Sequence, residues 1–476
     1  MEKKQKKPML SAFSIILILI ILLGIISHFL PAATFVKDQI VDGSGVVPAK
    51  VSDVLMSPIL GFESAVDVCI FVIILGGFLA IVSKTGALET GVKVLVQKLK
   101  GKEIILIPIL MFLFSIGGTT YGMLEETVGF YALLAATMVA AGMDTLVASA
   151  VVLLGAGSGV LGSTINPFAV GAAVSALPEG TPVNQGIIIA LGVILWLTTY
   201  GISTFFVMRY AKKVQKDKGS TFLSLQEQKA MKETYGKTKA VKEKLTTKQK
   251  ITLVIFALAF ITMIVGFIPW EDFGIKIFKN TDWLTGTPLG GWYFYEAALW
   301  FLLMSVLISI INKIGEHDFV ETFIEGAKDM MSVVLIIAVA RGASVLMQVT
   351  YIDNYIIFNA SKALQNLPAT IFGPLNYVLH VVLSVLVPSS SGLATLSTPI
   401  MGPLASNLHY SVEGTIMTFV AANGLVNLIT PTCGAIMGGL ALAKVEYTTW
   451  VKWAWKVVLA IALANIVILT IAMTIL

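Results

Sequence analysis

Charge is scarce in this sequence. Only 13% of its 476 residues are charged and 56% are hydrophobic, and the mean hydropathy is +0.87. No ordinary soluble domain has this composition. Apolar segments of about twenty residues, the length of a helix that crosses a bilayer, recur along the whole chain. These runs are continuous rather than alternating, so we expect an all-α polytopic membrane protein and not a β-barrel.

Cysteine and the common catalytic motifs are also scarce. The two cysteines, Cys69 and Cys433, provide no disulfide or metal framework. No HExxH, GxSxG or P-loop sequence occurs, and the four histidines do not cluster. These absences count against an intramembrane enzyme and against an ATP-driven pump. We therefore expect no enzyme activity and no bound cofactor.

Positive charge is concentrated in one segment. Of the 33 lysines and arginines, 13 lie in residues 209–250, and the net charge is +5. Under the positive-inside rule this segment is a cytoplasmic loop, and we do not read it as a nucleic-acid tail. The apolar run at 9–30 is too long for a signal-peptide core, so we expect an uncleaved first span. The N-terminus is then inside and the C-terminus outside the cytoplasmic membrane of a bacterium.

Two polar segments interrupt the apolar pattern. Residues 115–130 contain a glycine-rich stretch, 117–122, which is expected to end a helix, and the adjacent acids Glu125 and Glu126. One carboxylate at the centre of a spanning helix costs about 2.5–3.5 kcal/mol on insertion scales, so this pair needs partners, water or a ligand. Residues 387–392 form a serine-rich counterpart. Each segment joins either two full spans or the arms of a re-entrant hairpin, which we favour.

Two other helices are expected to be discontinuous. An apolar run at 145–161 leads into GSTINPF at 162–168, and residues 169–177 complete the crossing. Pro167 removes a helix donor, and the small polar residues beside it replace the lost bonds only around a cavity. A run at 415–428 leads in the same way into ITPTCG at 429–434.

The two halves of the chain match in order and spacing. GFESAVD at 61–67 corresponds to FIEGAKD at 323–329, a separation of 262, and Asn166-Pro167 corresponds to Thr430-Pro431, a separation of 264. Each half is expected to contain a span, an interfacial helix, a span, a hairpin, a broken helix and a span. One extra span between them inverts the second half, and inverted repeats with broken helices are typical of alternating-access carriers. An ion channel is a more distant alternative, because interrupted helices also build selectivity filters.

The expected domain organisation follows from this repeat. Residues 1–210 form the first inverted repeat, 211–250 a cytoplasmic basic linker, 251–292 an extra transmembrane helix with an external loop, and 293–476 the second repeat.

The polar interruptions supply the expected binding site. Half-helix ends and hydroxyl side chains replace the water around a small solute. Singly, these small residues are explained equally well by close helix packing, but their paired placement favours a site. The expected ligands are Thr119, Thr120, Glu125, Glu126, Ser163, Thr164, Asn166, Ser389, Ser390, Ser391, Thr430 and Thr432. The oxygens of Ser163, Asn166, Ser391 and Thr432 also suit Na⁺, and Na⁺ or H⁺ is the candidate coupling ion.

The charged residues leave the substrate open. Glu125 and Glu126 suit cation coupling or a counter-charge for a cationic substrate, while the alternative is that they cap a hairpin helix. Arg341 either binds a substrate carboxylate or, as we favour, pairs with Glu125, Glu126 or Asp329. His380 is expected to be a packing residue rather than a proton relay. A small carboxylate and an amino acid, and symport and exchange, all remain open.

Four motifs indicate a family: GMLEETVGFY, GSTINPFAVG, PSSSGLATLSTPIMGPLA and NLITPTCGAIMGGLALAKV. They resemble those of the YfcC-type carriers, which are grouped with the anaerobic C4-dicarboxylate uptake (DcuC-like) family in the ion-transporter superfamily. The resemblance extends from the first span to the last. It implies a homodimer with a static scaffold and a moving transport domain, that is, an elevator-type carrier. Its substrates would be dicarboxylates or, as an arginine/ornithine antiporter, basic amino acids. Cys433 stands where serine is more usual.

Overall fold

The chain folds almost entirely into α-helices. The computed structural model describes residues 12–36, 39–88, 90, 91, 94, 103–178, 181–236, 244–268 and 270–476. The α-helices in these ranges are α1 (Ala12–Ser27), α2 (Val51–Ser64), α3 (Val66–Lys84), α4 (Leu106–Tyr121), α5 (Tyr131–Ala140), α6 (Thr145–Leu161), α7 (Ala172–Ser175), α8 (Gln185–Lys216), α9 (Leu225–Tyr235), α10 (Thr247–Phe267), α11 (Phe294–Asn312), α12 (Glu316–Asp329), α13 (Met331–Thr350), α14 (Ile352–Leu364), α15 (Ala369–Leu386), α16 (Ser390–Asn407), α17 (Val412–Val426), α18 (Gly434–Leu442) and α19 (Tyr447–Ile475).

Other regular structure is short. A two-stranded antiparallel hairpin joins β1 (Phe35–Val36) to β2 (Gln39–Ile40). The remaining short segments are the 3₁₀ turns Glu103–Ile105, Glu125–Phe130, Lys218–Ser220 and Trp270–Phe273, and the π-helix Pro167–Gly171.

Seven helices in the described ranges are long and apolar enough to cross a membrane. They are α3, α4 with the preceding 3₁₀ turn, α8, α10, α11, α15 and α19. The expectation of an all-α polytopic membrane protein is therefore confirmed. The first predicted span, 9–30, begins before the described residues.

The helices pack in two groups. α1–α3 and α10–α13 mainly contact one another, and we call them the frame. α4–α8 and α15–α19 also mainly contact one another, and we call them the site group. The groups meet where α13 packs on α18 and where α3 packs on the Glu125–Phe130 turn. Phenylalanines fill the frame interior; the rings of Phe78 and Phe260 lie 5.0 and 4.9 Å from that of Phe301.

Glycines allow the frame helices to cross closely. A Cβ added at Gly61 of α2 would lie 2.3 Å from the backbone nitrogen of Gly342 in α13. A Cβ at Gly326 of α12 would lie 2.4 Å from the carbonyl oxygen of Gly76 in α3. Such contacts are the usual basis of tight helix packing in membranes, where burial of apolar surface from water is absent.

The chain reverses direction directly after α4. Gly122 takes a left-handed conformation (φ +81°), and the Glu125–Phe130 turn and α5 then lead back to the start of α6. The glycine-rich stretch 117–122 ends the helix as expected, but only at its last residue, because α4 continues through Tyr121 and Gly122 is its C-cap. Gly118 is buried against α6, where an added Cβ would lie 2.1 Å from the Ala156 carbonyl oxygen. Close packing therefore explains this glycine, and the helix ends only where φ becomes positive.

A second reversal joins α15 to α16 through Val387 and Ser389. The start of α15 and the end of α16 lie close together. The Tyr410 hydroxyl, just after α16, donates a hydrogen bond to the Leu367 carbonyl, just before α15, at 2.7 Å. The two arms therefore form a hairpin.

The segment expected to be only a linker contains ordered structure. α8 continues to Lys216, six residues beyond the predicted span end, and α9 follows, begun by a reciprocal cap between Ser224 and Glu227. The buried Glu227 carboxylate also accepts from the Glu446 backbone nitrogen (2.8 Å) and the Thr449 hydroxyl (3.0 Å). These bonds attach the linker to the site group.

A buried acid makes a second attachment. The Asp144 carboxylate caps α6 and accepts from the hydroxyls of Tyr210 and Thr221, both at 2.6 Å. Burial raises the pKa of Asp144, although these hydrogen bonds oppose the shift.

The predicted repeat register differs from the helix register. α2 and α12 begin at residues 51 and 316 and end at 64 and 329, a constant separation of 265 rather than 262. Asp67 lies in the first turn of α3, whereas Asp329 is the last residue of α12, so they do not occupy equivalent positions. α14 was not anticipated at all. Its apolar residues are interrupted by Asp353, Asn354, Asn359 and Lys362, so it has no long apolar run.

Candidate functional site

A cavity lies where the interrupted segments of the site group meet the frame. Its volume is about 110 Å³, which is room for several water molecules or a small solute. Its wall on the site group is Gly122, Leu124, Glu125, Val160, Asn166, Phe168, Pro388, Ser389, Ser390, Ser391, Asn427, Thr432, Cys433 and Gly434. Its wall on the frame side is Val68, Tyr293, Phe294, Ile337 and Arg341.

The cavity brings together part of the predicted site. The predicted residues on its wall are Glu125, Asn166, Ser389, Ser390, Ser391, Thr432 and Arg341. The predicted residues that do not line it are Thr119, Thr120, Ser163, Thr164 and Thr430. The side chain of Glu126 lies outside what the structure describes. The ligand role of each residue stays a prediction.

Hydroxyls near the first reversal bond to backbone carbonyls. Thr119 Oγ1 donates to the Gly162 carbonyl at 2.7 Å, and Thr164 Oγ1 donates to the Thr119 carbonyl at 3.1 Å. Thr120 Oγ1 donates to the Ile116 carbonyl one turn earlier, at 2.7 Å. The first two bonds satisfy carbonyls that an interrupted helix leaves open, and they join the end of α4 to the break after α6, whereas the Thr120 bond stays within α4.

Asn166 joins that break to the cavity. Its Nδ2 donates to Ser163 Oγ at 3.0 Å, and its Oδ1 accepts from the Phe168 backbone nitrogen at 2.9 Å. A Cβ added at Gly122 would lie 2.7 Å from Asn166 Nδ2. The first reversal therefore requires glycine both for its positive φ and for the space that the Asn166 amide occupies.

Two asparagines that sequence reasoning missed organise the second reversal. Asn423 Oδ1 accepts from Ser390 Oγ at 2.7 Å and from Asn427 Nδ2 at 3.1 Å. Asn427 is 5% exposed and lines the cavity. Among the residues that the structure describes, its Oδ1 is buried with no hydrogen-bond partner. The available signal was a pair of asparagines four residues apart in the predicted apolar run 415–428, a spacing that places both amides on one helix face.

The break after α17 is braced in the same manner. Thr430 Oγ1 and Thr432 Oγ1 lie 2.7 Å apart, and the Thr432 hydroxyl also donates to the Val385 carbonyl at 3.3 Å. Ser389 Oγ accepts from the Gly392 backbone nitrogen at 3.2 Å and so caps α16.

Opposite charges stand on the two walls of the cavity. Glu125 is on the site group, and Arg341 is on the frame. They interact electrostatically, and Asp67 of the frame also acts on Glu125. Across the described ranges neither Glu125 nor Arg341 has an ion-pair partner within 4.0 Å. Asp329, one of the three partners considered for Arg341, is the last residue of α12, and Arg341 lies ten residues into α13, about 15 Å from the first residue of that helix.

His380 is a fully bonded packing residue. Its Nδ1 lies 2.9 Å from the Asn376 carbonyl, which only accepts, so Nδ1 is the donor. Its Nε2 then accepts from Ser397 Oγ at 2.6 Å. Both ring nitrogens of a neutral imidazole are satisfied, which agrees with the expected packing role.

The candidate cation ligands on the cavity wall are oxygen atoms. The described residues include no group of three or more His, Cys, Asp or Glu side chains placed to hold a metal ion. Hydroxyls and the unpartnered Asn427 amide oxygen on the wall are ligands that hard cations accept.

Comparison with known sequences places the chain in a family. Residues 9–474 match the family of DcuC, C4-dicarboxylate anaerobic carrier. The chain belongs to the DcuC family. An uncharacterized protein of Haemophilus influenzae is 30% identical over 424 residues, covering 88% of this chain and 78% of that protein. A putative basic amino acid antiporter, YfcC of Escherichia coli, is 25% identical over 402 residues, covering 82% and 74%.

Solved structures give weaker likenesses. The Alcanivorax borkumensis YdaH transporter overlays with a TM-score of 0.46 at 14% identity, covering 97% of each chain. Neisseria gonorrhoeae MtrF overlays with a TM-score of 0.46 at 16% identity, covering 99% of this chain and 96% of that one. The family match, together with the spanning helices, makes this DcuC-family protein a membrane transporter and not an enzyme.

Proposed function

We propose that the protein is a secondary active transporter that moves a small carboxylate or amino-acid solute across the cytoplasmic membrane by alternating access. The observation that carries this proposal is the cavity between frame and site group, with Glu125 on one wall and Arg341 on the other. Charges without close partners in a membrane protein are costly, and a polar solute between them offsets that cost.

The order of the helices supports two inverted repeats. α2 and α12 have the same length, 14 residues, and each crosses a long frame helix at a glycine contact. A helical hairpin and a broken helix then follow in each half, α4–α7 and α15–α18. The separate packing of the two groups supports a site group that moves against the frame as an elevator. Dimerisation through the frame, the cytoplasmic basic linker and an inside N-terminus belong to the same proposal.

The charge around the cavity favours a second form of the proposal, a basic amino acid antiporter. Among the described residues, two acids, Glu125 and Asp67, and one base, Arg341, interact electrostatically at this cavity. A solute with a net positive charge would offset the excess of acidic groups. The name of the Escherichia coli relative, a putative basic amino acid antiporter, also supports a cationic solute. The DcuC family name supports a C4-dicarboxylate instead, with Glu125 then serving a coupling cation, Na⁺ or H⁺.

Uptake into proteoliposomes tests both forms. Labelled arginine and labelled succinate are compared with and without an inward Na⁺ or H⁺ gradient, and with ornithine inside. Arginine uptake that requires internal ornithine and is lost in Glu125→Gln supports the antiporter. Gradient-driven succinate uptake supports the dicarboxylate carrier. Glu63→Gln is the matched control, because Glu63 is exposed on α2. Conductance without saturable uptake of either solute contradicts the carrier proposal.

A further inference from the structure

The cavity is divided between two bodies that carry different charges. Arg341 and Asp67 belong to α13 and α3 of the frame, and Glu125 belongs to the first reversal of the site group. Close contacts across the boundary lie beside these charges. A Cβ added at Gly434 would lie 2.3 Å from Cγ1 of Ile337, which is one turn before Arg341.

The frame carries an acid in the same neighbourhood as Arg341. Asp67 and Arg341 both act electrostatically on Cys69, a buried residue of α3, so they share one neighbourhood within the frame. On Glu125 the attraction of Arg341 outweighs the repulsion of Asp67. When Glu125 moves away, Arg341 therefore still has Asp67 within electrostatic range and is less isolated in the membrane than an arginine with no acid nearby.

We propose that Arg341 is an electrostatic latch that holds the unloaded site group in place through Glu125. The inference rests on the proposed carrier function. Glu125 is attracted to the frame as long as its charge is uncompensated. A cationic group bound at Glu125, from the solute or from a coupling ion, removes that attraction, because the field of a neutral pair falls off faster than that of a single charge. Loaded site groups then move and empty ones stay, which is the condition for obligate exchange.

The experiment compares net uptake with exchange in proteoliposomes. Net uptake uses empty vesicles, exchange uses vesicles that contain ornithine, and labelled arginine is the probe, with succinate in parallel. Arg341→Gln is expected to raise the ratio of net uptake to exchange by about fivefold or more, the lower end of ordinary coupling free energies. Arg341→Lys keeps the charge and the low ratio. Lys84→Gln is the matched control, because Lys84 is a frame cation whose partners Asp318 and Thr322 are also in the frame.

A second variant reverses the sign of the effect. Asp67→Asn removes the group that repels Glu125 and competes for Arg341, so it is expected to tighten the latch and lower the ratio. If Arg341→Gln reduces both rates by the same factor, Arg341 is a solute ligand or a structural residue, and the latch is refuted. An unchanged or higher ratio in Asp67→Asn refutes it independently of how well Arg341→Gln folds.

Thiol labelling separates failure of the latch from failure of the proposed function. Cys433 lines the cavity, and in a Cys69→Ser background it is the single thiol of the chain. A membrane-impermeant methanethiosulfonate reagent is applied to empty vesicles of both orientations. The unaltered carrier should react faster from one side, and Arg341→Gln should reduce this difference. If both proteins react with the same side preference, the latch is refuted, whether or not arginine or succinate is transported. Absence of arginine and succinate transport would by itself contradict only the proposed substrates.

Discussion

Replacing Gly122 by alanine tests how the first reversal shapes the cavity. The left-handed conformation costs a residue with a Cβ about 1–2 kcal/mol. The added carbon would also lie 2.7 Å from Asn166 Nδ2 and 2.9 Å from Asn166 Oδ1, so the amide must move. Moving it breaks its bonds with Ser163 Oγ and the Phe168 backbone nitrogen, each worth about 1 kcal/mol. We expect Gly122→Ala to destabilise the protein by about 3–4 kcal/mol.

Gly142 provides the matched control. It has nearly the same backbone angle as Gly122 (φ +80° against +81°), and no atom lies within 4 Å of a Cβ added there. Gly142→Ala therefore carries the conformational cost alone, about 1–2 kcal/mol. Apparent unfolding temperature in detergent and transport rate are measured for both variants. In the double variant Gly122→Ala/Asn166→Ala the clash is absent, so the two single effects should not add. Equal effects of the two glycine variants would refute the assignment of Asn166 as the obstacle.

Two further variants test the polar contacts outside the spanning helices. Glu227→Gln weakens the charge-assisted hydrogen bonds that this carboxylate accepts from Glu446 and Thr449 by about 1–3 kcal/mol. Limited proteolysis should therefore cut the linker faster in this variant. Glu233→Gln is the control: Glu233 is exposed on the same helix, so its replacement should not change the cleavage rate. Burial raises the pKa of Asp353 from 3.8 to about 6, so the folded protein holds this proton more tightly than the unfolded chain; stability is highest at low pH and is lost as pH rises through 6. That pKa shift corresponds to about 3 kcal/mol of stability. Asp353→Asn should therefore reduce the pH dependence of the unfolding temperature between pH 4 and 7. An unchanged pH dependence in this variant would contradict the raised pKa of Asp353.

Apolar runs in the sequence were reliable guides to the helices. The predicted apolar run at 145–161 coincides with α6, because continuous apolar residues have only helical solutions in lipid. Helices without a long apolar run escaped this reasoning. α9 and α14 lack an apolar run, and their stability comes from bonds and packing with distant segments, such as Glu227 with Glu446.

The site was predictable as a set of segments but not as a set of atoms. Interruption motifs identified the two reversals and the two breaks, which do line one cavity. The spacing of hydroxyls did not indicate which of them face it. Thr119 and Thr164 are used to satisfy backbone carbonyls, whereas Asn427, a residue within a predicted apolar run, presents an unpartnered amide oxygen there.

The sequence by itself determined that the chain crosses a membrane, where its helices break and which family it belongs to. Each of these depends on local composition, backbone hydrogen bonding or motif identity. Only the tertiary structure decided that Glu125 and Arg341 face each other across one cavity and that Asp329 lies far from it. Sequence separation carries no information about such contacts, because they arise from packing between helices that lie more than two hundred residues apart.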